Sequence, residues 1–527
     1  MNIRAYSRLV AWLLAITATL FLFFLSATWA HFEWTTNRER SNYWHLSDGF
    51  LRGQLDLPVD PNPELLKLEN PFSRFERRKI PYMWDASLYK GRYYLYFGPV
   101  PALVAYIPFK LFFGFYPSDN FVIFSCSLLA GSLLYLACRL VSQRLTRTPP
   151  PGPEPLWFLY IVFASSLPLQ LGGGMYVVAA TCAMLFQVIA IISLLMLMTN
   201  ESRRSWWAIA AGLAIVGAVG SRPTHILLVP IAVLALGLLR FRYSPREISN
   251  KHCAAFIAPL LVGGVLLAAY NYLRFDDPAE FGIRYQLGGA DLRDRPLCSV
   301  QRVLEQPNLL KVQAWYLLLQ PPTFASRFPY LAFSHIPVGK LDPSLYGYLS
   351  DDAVTGLFVF SPLMLPALAA TVAYWRRFGK ETRIFQSVCI VSGAVSLGYH
   401  HTCFGVGARY LFEAVVPLTI ACVPMLWVAC SEARARFARL AWYLVTAIGL
   451  SAGILMGALG SLDGHFQKGS FTAYVFEGIE NKARNVLGIP REPIDPGREK
   501  ASDEPPRSPL GEAQEMLPLR ATEGAAM

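Results

Sequence analysis

Apolar runs of membrane length, repeated along most of the chain, constrain its fold more than any other feature. A helix needs roughly 20 residues to cross ~30 Å of hydrocarbon, and inside lipid it must satisfy every backbone N–H and C=O within itself. Such runs fall at about 10–29, 120–141, 156–173, 176–198, 205–220, 223–240, 253–271, 353–375, 384–399, 410–430 and 438–460. Of the 527 residues, 54% are hydrophobic and only 16% are charged, where a soluble domain carries about 25% charge. The expectation is an all-α integral membrane bundle of about 11 transmembrane helices with two large extracytoplasmic loops. The first run ends in "ATWA" but is longer than the roughly 7–15 apolar residues of a signal peptide, so it reads as an uncleaved span.

Positive charge sets the expected sides. With Arg4 and Arg8 in the cytoplasm, the basic residues of 139–147, 203–204, 240–251, 376–383 and 434–439 all fall inside, as short cytoplasmic loops should. One more crossing, at 99–116, would turn every one of those later loops outward. That stretch is also broken by Pro99, Pro101 and Pro108, holds Lys110, and has aromatics at both ends. It reads as a helix lying at the headgroup level. The divisions that follow are 1–29, the cytoplasmic N-terminus and first span; 30–119, an outer loop; 120–271, spans two to seven; 272–352, a second outer loop; 353–460, spans eight to eleven; and 461–527, an outer tail, disordered from about 484 by its composition. The net charge of +11 sits in the short loops, so topology accounts for it and no nucleic-acid partner is expected.

Some classes of chemistry are excluded. The nine cysteines form no CxxC and no Cys/His cluster, so no metal site is read from them. Cys298 and Cys403 lie in polar stretches and either pair or stay as thiols. There is no P-loop and no dinucleotide fingerprint. Buried acids do not line the spans as in an ion-coupled pump. Chemistry, if present, belongs to the outer face.

Four stretches there carry candidates. In "YMWDASLYKGRYYLYFGPVPAL", Asp85 follows Trp84 and precedes Tyr89, Tyr93, Tyr94 and Tyr96. An acid among aromatics suits a sugar, whose C–H face stacks on rings while the carboxylate accepts hydroxyl protons; an interfacial aromatic belt with a solvated Asp is the plainer reading. Upstream, Glu39, Tyr43 and Leu46 have helical spacing, with Asp48 just beyond. Arg222, in "GSRPTHILL", is placed to hold a phosphate or to snorkel as a turn anchor. The second loop opens "YNYLRFDDPAEFGIRYQL", with Arg284 and Tyr285, and the turn "GVGARYLFEAVVP" carries Arg409, with Glu413 one turn on as its possible partner.

Together, "GxYYxxxGPxPAL", the "RP" turn, the late "GxRY" and "YNYLRF…EFGxRYQL" resemble the C-type superfamily of polytopic glycosyltransferases. These use lipid-phosphate sugars and include the protein O-mannosyltransferases and aminoarabinose transferases. The likeness is nearest to a set of bacterial membrane proteins and covers most of 1–460. It implies a multi-pass protein of a bacterial inner membrane, for which the charge pattern puts the N-terminus in the cytoplasm and the C-terminus outside. The implied reaction moves a sugar from a polyprenyl-phosphate carrier to a glycan, lipid or protein acceptor, with inversion. A first-loop acid would be the base, and outer arginines would hold the carrier phosphate. The superfamily's Asp-Glu pair is replaced here by "RERSNY", leaving Asp85, Asp48 and Glu39 as candidate bases. Arg222, Arg284, Tyr285, Arg409, Tyr89 and Tyr93 are the candidate substrate-binding residues. The second outer acid is absent from "LGGGMYVV", so no metal ligand or cofactor is assigned and a divalent metal stays open. A non-catalytic envelope-assembly scaffold and a lipid or glycan transporter are the alternatives.

Overall fold

The computed structural model describes residues 3–27, 41–165, 174–243, 247–288, 291–293, 307–324, 330–332, 334–335, 353–403, 410–466, 481–482 and 485–486. Glu39, Arg409 and Cys298, much of the second outer loop and nearly all of the tail lie outside them.

The fold is an all-α membrane bundle. Among the described residues, seven helices are long and apolar enough to cross a bilayer: Ala5–Ala27, Asp119–Thr146, Met175–Thr199, Pro223–Phe241, Asn250–Phe275, Phe412–Glu432 and Arg436–Leu462. Helices also stand at Glu154–Phe163, Arg204–Ser221, Met364–Tyr374 and Lys380–Cys403. The Phe412–Glu432 helix is the central post, with 94% of its apolar window buried, whereas Asn250–Phe275 is peripheral, with 11% buried. Within lipid, small residues that let backbones approach closely help helices associate. Gly212 is such a point: a Cβ there would stand 2.5 Å from the Phe256 carbonyl oxygen.

The stretch expected to lie flat forms a π-helical turn, Ala102–Tyr106, and a helix, Ile107–Phe113, ended by Gly114 at φ 82°. At ~1.5 Å per residue such an element is well short of ~30 Å. Ala102 and Tyr106 are buried, while Leu103, Leu111, Phe112 and Phe113 are exposed. Ahead of it, Ser41 caps the Asn42–Leu51 helix by accepting from the Trp44 N–H at 3.1 Å. A hairpin then pairs Ser87–Tyr89 with Arg92–Tyr94. Its two turn residues, Lys90 at φ 48° and Gly91 at φ 72°, have the positive φ values of the primed turn that matches strand twist.

Gly98, just after the hairpin, seats this outer region on the bundle. A Cβ on Gly98 would fall on the backbone carbonyl of Gly220, so only glycine permits the approach.

Candidate functional site

Asp85 is 2% exposed and has φ 62°. A left-handed residue other than Gly costs about 1–2 kcal/mol, and Asp enters this region more readily than most. The backbone around it is held from a distant segment. The Asp85 N–H donates to the Leu287 carbonyl at 3.3 Å, and the Leu287 N–H to the Ala86 carbonyl at 2.9 Å. Ser87 bridges to Gln286, and its hydroxyl donates to the Gly282 carbonyl at 2.8 Å. The start of the second loop thus lies along the edge of the first-loop hairpin.

The Asp85 carboxylate accepts from three side chains. The Tyr96 hydroxyl donates to Oδ2 at 3.0 Å, the Tyr176 hydroxyl donates to the same oxygen, and the Gln286 amide donates to Oδ1. Tyr96 follows the hairpin, Tyr176 opens a span and Gln286 lies in the second loop. Tyr82 and Trp84, both half-buried, stand beside it with ring centroids 6.2 Å apart. Two buried arginines brace the frame. Arg77 donates to the Phe72 carbonyl at 2.6 Å and to the Gly288 carbonyl. Arg274 donates to the Leu95 carbonyl at 2.6 Å and to Asn271 at 2.7 Å, with the Tyr270 ring 3.8 Å away. Arg274 therefore fixes the residue immediately before Tyr96.

The other candidates separate. Asp48 is half-buried on its helix and pairs with Arg52 at 2.6 Å; Tyr116 beside it is pushed up to about 12, by burial first and then by the Asp48 charge. Tyr93 is fully buried and its oxygen accepts from the Met83 N–H at 3.4 Å. Burial pushes Tyr93 up to about 12, and with no accessible surface its ring packs the hairpin and does not face a ligand. Tyr89 donates to Asp276 at 2.7 Å, which lifts Tyr89 to about 12. Lys90, 2.5 Å from Asp276, and Tyr89 hold that carboxyl below the usual range. Tyr285 packs on Tyr89 at 4.7 Å and on Phe275 at 5.9 Å, so Tyr89 and Tyr285 clasp the hairpin to the second loop. Arg284 is exposed, 3.5 Å from Glu280.

Arg222 belongs to a second cluster, built on Glu413. Glu413 is 2% exposed. Arg222 Nε lies 3.1 Å from Oε1, His400 Nε2 3.1 Å from Oε2, and His225 Nδ1 3.8 Å from Oε1. Thr224 donates to Oε1 at 2.6 Å. The Arg222 guanidinium lies 5.4 Å from the Tyr410 ring centroid, and His400 stacks on that ring at 4.9 Å. The sequence suggested Arg409 as a possible Glu413 partner, a pairing that lies outside the described residues; within them Glu413 holds Arg222, and Thr224 of the same turn donates to its carboxylate. Gln187 donates to the Glu413 carbonyl at 3.0 Å. Below it opens an apolar cavity lined by Gln187, Ser392, Leu228, Leu194, Leu236 and Phe385. The two clusters sit on either side of one contact: Tyr96 and Arg222 are each two residues from the touching pair Gly98 and Gly220.

Tyr176 and Gln286 were not singled out from the sequence. Gln286 does lie inside "EFGxRYQL", and Tyr176 inside the turn noted only for lacking an acid. Among the described residues, no three of His, Cys, Asp and Glu are placed to hold a metal ion. The Asp85 oxygens accept from two phenols and an amide.

No protein-family profile matches the chain, and no curated protein matches it. Among solved structures, the Archaeoglobus fulgidus oligosaccharyltransferase in its apo form is similar at 12% identity and TM-score 0.48, over 96% of this chain and 62% of that chain. The same enzyme tethered to an acceptor peptide with the NVT sequon gives 14%, 0.42, 96% and 61%. The archaeal oligosaccharyltransferase AglB of that organism, with an inhibitory peptide and a dolichol-phosphate, gives 14%, 0.44, 88% and 56%. The chain thus spans less than two thirds of the length of these proteins, and likeness at this level decides neither fold nor activity.

Proposed function

We propose that the chain is a C-type membrane glycosyltransferase. It moves a sugar from a polyprenyl-phosphate carrier to a glycan, lipid or protein acceptor on the extracytoplasmic face, with Asp85 as the base. The observation that carries this reading is Asp85 itself. It is a buried carboxylate in a strained backbone conformation, held by neutral donors from three separate segments. Residues kept in sparsely populated conformations by their surroundings cluster at active sites. The charge pattern supports outer placement of 30–119 and 272–352.

In this reading the acceptor hydroxyl takes the place of the Gln286 amide against Asp85. The carboxylate removes its proton, the hydroxyl oxygen bonds to the anomeric carbon, and the bond from that carbon to the carrier phosphate breaks. The electron pair leaves with the phosphate, and a single displacement inverts the centre. Charge grows on that phosphate, so donors already fixed nearby stabilise the transition state more than the ground state. Arg222, with His225 and His400, supplies them, and the apolar cavity beneath takes isoprenoid carbon. Tyr82 and Trp84 stack on sugar. Arg284 and Arg409 serve as outer phosphate contacts. No step runs through a metal.

The test is single substitution, Asp85→Asn, Asp48→Asn and Glu39→Gln, with transfer from a polyprenyl-phosphate sugar measured at equal protein abundance. Loss at Asp85 alone supports the reading. Indifference at all three favours the scaffold, a reading in which the donors around Asp85 serve only to anchor the loop. Vectorial movement of lipid or glycan without a covalent product would instead indicate a transporter.

A further inference from the structure

The exposed cations of the outer region are of two kinds. Arg52, Lys90, Arg92 and Arg293 each lie against a carboxylate, at 2.6 Å from Asp48, 2.5 Å from Asp276, 3.5 Å from Asp56 and 2.7 Å from Asp291. Lys67, Lys311, Arg74, Arg78 and Lys79 are exposed, and among the described residues no carboxylate stands within 4.0 Å of them; Lys67 and Lys311 stand singly in the sequence, whereas the other three cluster in one stretch. All three lie in "RFERRK" with Phe75, which is 82% exposed. The one acid of that stretch, Glu76, is turned back to accept from the Asn70 N–H at 3.0 Å.

This stretch is wired to the candidate site. Its fourth cation, Arg77, is buried, lies 5.0 Å from the Tyr82 ring centroid and donates to the Gly288 carbonyl. Gly288 in turn abuts the reacting acid: a Cβ on it would stand 3.2 Å from Asp85 Oδ1. The chain therefore runs from cations with no carboxylate partner, past the Tyr82–Trp84 pair, to Asp85.

From this juxtaposition we propose that Arg74, Arg78 and Lys79, with Phe75, form the docking rim for an acidic glycan acceptor. That acceptor is a sugar polymer carrying carboxylate or phosphate groups, whose end then reaches Tyr82, Trp84 and Asp85. The proposal rests on the transferase reading for the chemistry and on the rim alone for binding. Cations at a site mouth concentrate an anionic ligand about 10–10³-fold, and aromatic faces accept sugar C–H groups. A lipid surface is the poorer occupant, because exposed leaflet-compatible side chains gather elsewhere, at Leu103, Leu111, Phe112 and Phe113.

The experiment uses the full chain in phosphatidylcholine nanodiscs. Binding of fluorescent oligogalacturonate is compared with that of a neutral maltooligosaccharide of equal length. The wild type should favour the acidic oligomer at least about 10-fold. The triple variant R74E/R78E/K79E should lose about 10–100-fold at ~0.05 M salt and differ by less than about 3-fold at ~0.5 M, where screening is short-ranged. Binding is read without a donor lipid, so failure of the wild type to transfer sugar would sink the catalytic reading without touching this one. Unchanged affinity in a folded triple variant overturns the proposal. So does a variant whose only defect is binding to phosphatidylglycerol nanodiscs, which would make the rim a membrane contact.

Discussion

Asp85 and Glu413 are equally buried, at 2% exposure each, yet they are held in opposite ways. Hydroxyls and an amide hold Asp85, while Glu413 sits among Arg222, His400 and His225. Hydroxyl and amide donors stabilise a carboxylate's charge without bringing a countercharge. A carboxylate among cations has its charge cancelled and serves chiefly to position them. Burial alone therefore does not mark a base; the charge of its partners distinguishes the two. Their supports differ as well. Glu413 stands on a helix in the middle of the bundle, whereas Asp85 depends on contacts between distant loops.

The largest expected effect is on catalysis. Asp85→Asn should lower the transfer rate about 10²–10⁴-fold while thermal unfolding in detergent stays near that of the wild type. Equal loss in Glu413→Gln with equal stability would erase the distinction. Glu413→Gln should instead cost about 3–5 kcal/mol of stability, because Arg222 is left buried without its countercharge; loss of folded protein on heating measures it. Next is Gly98→Ala, which forces a methyl onto the Gly220 carbonyl. Overpacking of this kind costs about 1–3 kcal/mol, and protease sensitivity of the outer region should rise before the spans unfold.

The smallest effect concerns the clasp. Asp276 is held below the ordinary carboxylate range by Lys90 first and then Tyr89. The charged form is the one stabilised, so the clasp is complete above the unfolded value of about 3.9 and weakens as pH falls through the lower folded value. Hydrogen exchange of the 87–94 hairpin should quicken only under strong acid. Lys90→Met should move that onset to higher pH, and an unmoved onset would remove Asp276 as its cause.

Much of the bundle was legible because lipid imposes a simple rule: a run of apolar residues long enough to span must close its hydrogen bonds as a helix. The helices stand where the apolar runs fall, and the proline-broken 99–116 stretch forms an element too short to cross. Lys90-Gly91 was a readable hairpin signal that the aromatic pattern masked. The site was less legible. Asp85 was visible as an acid among rings, but the full burial of Tyr93 and the contact between the half-buried Tyr89 and Tyr285 were not. Whether a ring faces solvent or the interior does not follow from its spacing in a loop.

By itself, then, the sequence determined the membrane class and the position of most helices, since those depend on local composition and period. Only the tertiary structure decided that Tyr176 and Gln286 meet Asp85, and that Arg222 belongs to Glu413. Those pairings join residues from 91 to 201 positions apart. A hydrogen bond or ion pair is set by where the backbone places two groups, and no local pattern encodes that distance.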